Sequence, residues 1–180
     1  MSEFLVFPKM ARLSRDVVIT EKIDGTNAQI LITEDNDVLV GSRKRWITPE
    51  DDNFGFARWV EENKEDLLKL GVGRHFGEWW GSGIQRGYNL QKGEKRFSLF
   101  NTLRWGDDLV RPLCCSIVPV LYEGIFDTKE VDKCIEDLKI NGSYASSGFM
   151  NPEGVVVFHI AGNVGFKKTI EKDTIPKSQQ

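Results

Sequence analysis

A chain of 180 residues with 40% apolar and 28% charged side chains is long enough to bury a core of its own and has the make-up of a globular domain. Its formal net charge of −3 excludes a protein that coats nucleic acid by bulk electrostatics, and no apolar run approaches the roughly 20 residues of a membrane span. Met1-Ser2-Glu3-Phe4 is not a cationic stretch leading into a long apolar run, so no signal peptide is expected. The cysteines, Cys114, Cys115 and Cys134, are odd in number, two of them adjacent, and lack metal-ligand spacing, which reads as reduced thiols and makes a cytoplasmic protein the expectation. His75 and His159 lie far apart, and each is expected to serve packing or a local hydrogen bond.

In chain order, an irregular lead-in around Pro8 precedes the β-branched run Val17–Thr20, a predicted strand that delivers Lys22 at its end. Further strands are predicted over 28–33 and 38–42, with Glu34-Asp35-Asn36-Asp37 as the turn between them. The three suggest an antiparallel meander with Lys22 near one edge. Residues 49–53 carry helix-start chemistry, and Phe56, Val60, Leu67 and Leu68 fit one helical face, broken near Asn63 and stopped at Gly71. Strands are then predicted over 74–80, 96–103 and 117–126, with a glycine-punctuated loop over 81–87. A helix starts at Asp127, with Glu130 as its reciprocal cap, buries Val131, Ile135 and Leu138, and ends before Gly142. A hairpin over 154–160 and 164–170 closes the domain, and a polar, frayed tail runs from Lys172 to Gln180. The order of elements predicts an α+β fold of mostly antiparallel sheets with flanking helices, a single domain over 1–171.

Candidate chemistry begins at Glu21-Lys22-Ile23-Asp24-Gly25-Thr26-Asn27. In an extended strand Lys22 and Asp24 share a face, Ile23 turns inward, and Gly25 permits a close approach to the backbone. Lys-x-Asp-Gly alone is more often the mark of a solvated strand end running into a turn. Phe76, Glu78 and Trp80 share another strand face, where a carboxylate between rings needs a partner. Either Phe97 or Phe100 could stack on a base, and a core role is open to both. Glu153 opens the apolar run Gly154-Val155-Val156-Val157, as a metal-directed carboxylate or a plain strand end would. Lys167 and Thr169 share a face, with Lys168 on the other. Together these groups supply what nucleotidyl transfer to an amine requires. A lysine is only about 0.1% neutral near pH 7.5, and a neighbouring cation such as Lys167 lowers its pKa. Asp24, Glu78 and Glu153 offer oxygens to Mg²⁺.

In this order, Lys22 to Asn27, Ser42-Arg43, Phe76-Gly77-Glu78, Phe97 to Phe100, Glu153 to Val156 and Phe166-Lys167 resemble motifs I, Ia, III, IIIa, IV and V of the covalent nucleotidyltransferases, which include DNA ligases, RNA ligases and capping enzymes. Gly25-Thr26-Asn27, and Gly77-Glu78 leading into Gly81-Ser82-Gly83-Ile84-Gln85, resemble the nick-sealing and RNA-editing branch of the RNA ligases. The resemblance covers about residues 17–170 and implies a ligase adenylation fold. It implies an ATP-dependent ligase, RNA-directed, that joins 5′-phosphate and 3′-hydroxyl ends through lysyl-AMP and an adenylylated end, using Mg²⁺ with Mn²⁺ as a substitute.

By the same resemblance Lys22 is the nucleophile, with Asp24 and Lys167 beside it in catalysis. The backbone at Glu21 and Ile23 contacts adenine, Phe97 stacks on it, and Glu78 binds the ribose. Arg43, with Arg45 as the alternative, binds ribose or phosphate. Asn27 serves sealing at the nucleotide, Lys167 the α-phosphate, and Glu153 with Asp24 the metal. Thr169 stands where the family commonly has a second lysine, which predicts an altered phosphate contact. The chain ends soon after this motif, so a minimal enzyme without a C-terminal accessory domain is expected, acting alone on RNA ends or nicked duplexes or with a helper protein, away from membranes. A minimal DNA ligase and a non-catalytic nucleotide- or RNA-binding module are the competing readings.

Overall fold

The computed structural model describes residues 2–175. Two mostly antiparallel sheets, each backed by helix, face each other across a cleft.

The smaller sheet has the order β10-β9-β1-β8, formed by Asp16–Lys22 (β1), Val120–Ile125 (β8), Gly154–His159 (β9) and Val164–Thr169 (β10). Val17 and Ile19 of β1, with Val155 and Val157 of β9, pack beneath Val131, Cys134, Ile135 and Leu138 of α4 (Thr128–Asn141). Each such fully buried aliphatic side chain stabilises by about 1.5–3 kcal/mol. The alternate residues Val18, Thr20 and Lys22 therefore face the cleft.

The larger sheet has the order β4-β3-β2-β5-β6-β7, from Thr26–Ile32 (β2), Val38–Ser42 (β3), Trp46–Ile47 (β4), Gly73–Gly81 (β5), Lys95–Leu99 (β6) and Cys115–Ile117 (β7). Only β6 and β7 run parallel. Its inner face, with Ile30, Trp79, Phe97 and Leu99, packs on α1 (Phe56–Glu62), α2 (Lys64–Leu67) and a 3₁₀ turn at Leu68–Leu70. The helix does break at Asn63, and the Asp52 carboxylate accepts from the amides of Ala57 and Arg58 at its start. The Asp127 carboxylate caps α4 as expected, accepting from Lys129 N, but Glu130 bonds Lys133 instead of reaching back.

The predicted meander does not form. β2 and β3 pair, but β1 belongs to the other sheet and lies in its interior, between β9 and β8, so Lys22 is not at an edge. The crossing is made at Ile23–Gly25. Ile23 is buried in a cluster with Trp80, Tyr88, Val118 and Phe149 that joins the two layers. A Cβ on Gly25 would lie 2.5 Å from the Trp79 carbonyl oxygen and 2.7 Å from Trp80 Cβ, so the close approach that glycine permits is made by β5. The predicted strand 117–126 divides likewise, into β7 in one sheet and β8 in the other, on either side of Val118-Pro119. The strand predicted over 96–103 stops at Leu99, because Asn101 Oδ1 accepts from Arg104 N and starts α3 (Thr102–Trp105).

The cysteines are free. His75 Nε2 bonds Gly71 O and His159 Nε2 bonds Leu13 O, each at 2.9 Å, which are the local roles expected of them. The frayed tail is not seen over 172–175, where Asp173 accepts from Thr169 N and Ile175 N donates to Lys172 O. Its remainder, 176–180, lies outside the described residues. No helix among them is long and apolar enough to cross a membrane.

Candidate active site

Two cavities lie near the end of β1, one lined by Lys22 and the other by Glu153. The larger, about 600 Å³, has Val18, Thr20, Lys22, Val156 and Phe158 of the small sheet on one side and Asn27, Glu78 and Phe100 of the large sheet on the other. It is mainly apolar and falls within the size range of small-molecule sites. The second, about 390 Å³, is polar, and Asp24, Arg86, Glu153, Lys167, Thr169 and Lys172 contribute to its wall.

Lys22 stands between them, lining the large cavity and contacting Glu153 of the polar one. Its Nζ is 2.5 Å from Oε2 of Glu153, whose carboxylate is almost wholly buried at the start of β9. The register of β1 on β9 sets this contact, pairing Lys22 with Gly154. Asp24 ion-pairs through its carboxylate with Arg86 and not with the amine. Its amide donates to the Tyr88 hydroxyl at 2.8 Å, and its carboxylate accepts from Arg86 Nε at 3.0 Å, turning it into the polar cavity. The burial that holds the Tyr88 ring also raises its hydroxyl pKa.

Glu78 projects from β5 into the large cavity, accepting from Gly25 N at 3.1 Å and from Asn27 Nδ2 at 3.3 Å. Burial raises its pKa to about 7, against the pull of the Lys22 charge in the other direction. Glu21 and Ile23 border the same cavity but send their side chains elsewhere. The Glu21 carboxylate accepts from Ser143 Oγ and from the amides of Tyr144 and Ala145, fixing the loop after α4, and its burial raises its pKa.

Lys167 and Thr169 share the face of β10 turned to the polar cavity, whereas Lys168 reaches the other way to Asp132 of α4. Thr169 donates from Oγ1 to Glu171 O and from its amide to Asp173, so it builds the turn that brings Lys172 into the cavity wall.

Two expected positions fall outside the site. Phe97 is fully buried on the helix side of the large sheet, its ring 5.0 Å from that of Phe56. Gly77 on the neighbouring strand leaves the room that this ring fills, since a Cβ there would lie 2.5 Å from it. The aromatics that border the large cavity are Phe158 of β9 and, on the large-sheet side, Phe100, three residues on from Phe97 and partly exposed. Arg43 is exposed in the turn between β3 and β4 and lines neither cavity, and Arg45 is held by Asp51 at 2.5 Å.

Arg86 is a residue that motif reading passed over. Besides Asp24 it donates to Asn151 O and Asn151 Oδ1, tying the end of Lys-x-Asp to the segment that leads into Glu153. Its one signal in the sequence is that it is the only charge in the loop 81–87. Tyr88 had none.

No group of three or more His, Cys, Asp or Glu able to hold a metal occurs among the described residues. Glu153 and Asp24 on the wall of one polar cavity still fit Mg²⁺, which commonly takes one or two carboxylates and completes its shell with water and substrate phosphates.

Comparison with solved structures gives the same arrangement of elements. A variant of Naegleria gruberi RNA ligase solved with ATP and Mn matches with a TM-score of 0.65 at 19% identity, over 88% of this chain and 51% of that one. Another variant of the same enzyme, without ligand, matches with a TM-score of 0.60 at 21% identity, over 86% and 49%. The chain thus spans about half the length of the solved structures it matches, and at these identities the likeness is one of fold. No curated protein matches by sequence. The family model described as RNA ligase matches residues 15–170, which takes in β1 through β10, the large cavity, and Asp24, Arg86, Glu153, Lys167 and Thr169 of the polar one. The chain belongs to the RNA ligase family.

Proposed function

We propose that this chain carries out the nucleotidyl-transfer chemistry of an ATP-dependent RNA ligase. One observation carries the reading: the contact of Lys22 Nζ with Glu153 links a largely apolar, nucleotide-sized cavity, lined by Lys22, to a polar one lined by Glu153, Lys167, Thr169 and Asp24. ATP laid across both cavities places its base between the sheets near Phe100, its ribose at Glu78, and its phosphates toward Lys167 and Lys172. The ATP and Mn present in a matched RNA ligase support this choice of ligands.

Attack requires the neutral amine, and Glu153 is the acceptor within reach of the proton that the ammonium must shed. The Nζ–phosphorus bond forms as the bond from the α-phosphorus to its bridging oxygen breaks, and pyrophosphate leaves. Lys167 is placed to offset charge developing on the α-phosphate. A divalent ion held by Glu153 and Asp24 would neutralise the phosphates. AMP then passes to an RNA 5′-phosphate, and a 3′-hydroxyl displaces it.

The test is incubation with α-labelled ATP and Mg²⁺. Label should remain on the protein through denaturation and vanish in Lys22→Ala. Stable labelling of Lys22→Ala, or none of the wild type, would end this reading. Nicked duplexes with ribose or deoxyribose at the 3′-hydroxyl end then separate an RNA from a DNA ligase, since the 2′-OH is the difference that matters.

A further inference from the structure

The cleft-facing side of the large sheet continues beyond the nucleotide cavity. Strand alternation puts Arg74, Phe76 and Glu78 of β5 on that side, with Asn27, Gln29 and Leu31 of β2. The register aligns one row across the sheet: Trp46 pairs with Gly41, Gly41 with Gln29, and Gln29 with Phe76. Phe100, whose amide donates to Phe76 O at 3.0 Å, ends the row at the cavity. Neighbouring strands lie about 4.8 Å apart, so Phe76 follows Phe100 after about 5 Å, and Trp46 lies about 14 Å further out.

Phe76 is 51% and Trp46 48% exposed, which is unusual for large rings in the middle and at the rim of one sheet face. Cations are interleaved with them. The Arg74 guanidinium lies 5.3 Å from the Trp46 ring centroid and donates to Gln29 Oε1 at 2.5 Å. The exposed turn Arg43-Lys44-Arg45 borders the same end. The core of a protein–protein interface is depleted in charge, whereas flat rings flanked by cations suit stacked bases and their phosphates. The acidic turn Glu34–Asp37 lies past Leu31 and Leu39, which repels a polyanion running along the strands but leaves the row across them open.

We propose that the row Trp46–Gln29–Phe76 is a docking platform for a single RNA strand, which it leads toward the cavity at Phe100 and Lys22. The proposal rests on the reading of that cavity as the adenylylation site of an RNA ligase. Bases stack on Phe76 and Trp46, while Arg74 contacts the phosphate backbone.

The test uses Phe76→Ala, Trp46→Ala and Arg74→Gln. Binding of a labelled, 5′-phosphorylated single-stranded oligoribonucleotide is followed by fluorescence anisotropy, with a DNA strand of the same sequence in parallel, and lysyl-AMP formation is measured without RNA. Each aromatic variant should weaken RNA binding about fivefold to a hundredfold. Arg74→Gln should reduce the slope of log affinity against log salt by about 0.7. Lysyl-AMP formation should be unchanged in all three, and because both rings are about half exposed, thermal unfolding should move little. RNA binding as in the wild type by both aromatic variants, or losses confined to the DNA strand, would overturn the proposal. So would a wild-type dimer that Phe76→Ala breaks without affecting RNA binding, since the face would then serve a second copy. If Lys22 takes no label yet RNA binding depends on Phe76 and Trp46, the enzymatic reading falls and the platform stands.

Discussion

Lys22 Nζ and Glu153 Oε2 meet at 2.5 Å across 131 residues of sequence, because the central strand β1 and its neighbour β9 align Lys22 with Gly154. The pair is a nucleophile with its nearest proton acceptor, and both members are testable. Glu153→Gln keeps a hydrogen-bonding side chain of the same size but removes the basic oxygen. Lysyl-AMP formation should slow by about 10²–10⁴-fold, in the range of general-base contributions. A rate within twofold of wild type, measured by label incorporation at saturating ATP, would remove Glu153 from the proton path.

Phe97 and Phe100 divide two jobs that a single aromatic was expected to do. Truncating Phe97, which is fully buried against Phe56 and Trp59, should cost about 3–5 kcal/mol of stability. Phe100→Ala removes a partly exposed ring at the cavity wall, so its thermal midpoint should hardly move. Its affinity for ATP should fall by the worth of one base–aromatic stack, about 1–3 kcal/mol. Denaturant melts and nucleotide titration of the two variants check the division, and a reversed pattern would restore Phe97 to the site.

The same residues mark the boundary between what local sequence encodes and what only the folded chain decides. The α+β class, the helix break at Asn63 and the Asp127 cap were legible because each depends on near neighbours in the chain. The chain's crossing between sheets at Ile23–Gly25 was not, since a strand–glycine–strand pattern is the same whether the second strand pairs with the first or joins another layer. What decides is the packing of Gly25 on Trp79 and Trp80, more than fifty positions away. Lys22, Glu78, Glu153 and Lys167 stand out by motif order, and the register of β1, β9 and β10 brings Lys22, Glu153 and Lys167 to one end of the small sheet. Phe97 and Phe100 are three apart at a strand end, on opposite sides of it, so alternation alone cannot say which ring meets the cavity. Arg86 acts through acceptors on two distant segments, a role for which a single loop carries no pattern.

Arg86 holds Asp24 and the carbonyl and side chain of Asn151 at once, and so sets Asp24 and the segment that leads into Glu153; Asp24 and Glu153 are two of the acidic residues that border the polar cavity. It is a positioning residue in this scheme. Arg86→Ala should raise the Mg²⁺ concentration needed for half-maximal lysyl-AMP formation several-fold, with the KM for ATP little changed. Arg86→Lys should restore only part of the loss, because one ammonium cannot reproduce the forked contacts of a guanidinium. A metal-titration midpoint equal to wild type in Arg86→Ala would leave Arg86 a purely structural tie.

Glu78 gives the fold a pH signature whose sign follows from its burial. Its pKa stands at about 7 in the folded protein against 4.5 as the reference. Between these values the folded state keeps a proton that the unfolded state has already released. Stability should therefore fall as pH rises from about 4.5 to about 7 and level off above, the contribution amounting to about 3 kcal/mol. Glu78→Gln has no such proton, so it should remove this decline and be more stable than wild type at pH 8, while binding ATP less well. The positive charge of Lys22 holds the Glu78 pKa down. In Lys22→Ala the pH at which the decline levels off should accordingly move above 7. Denaturant unfolding from pH 4.5 to 9 on wild type and both variants tests all of this. An unchanged pH profile in Glu78→Gln would show that other groups set the decline, and an unmoved midpoint in Lys22→Ala would separate the two charges.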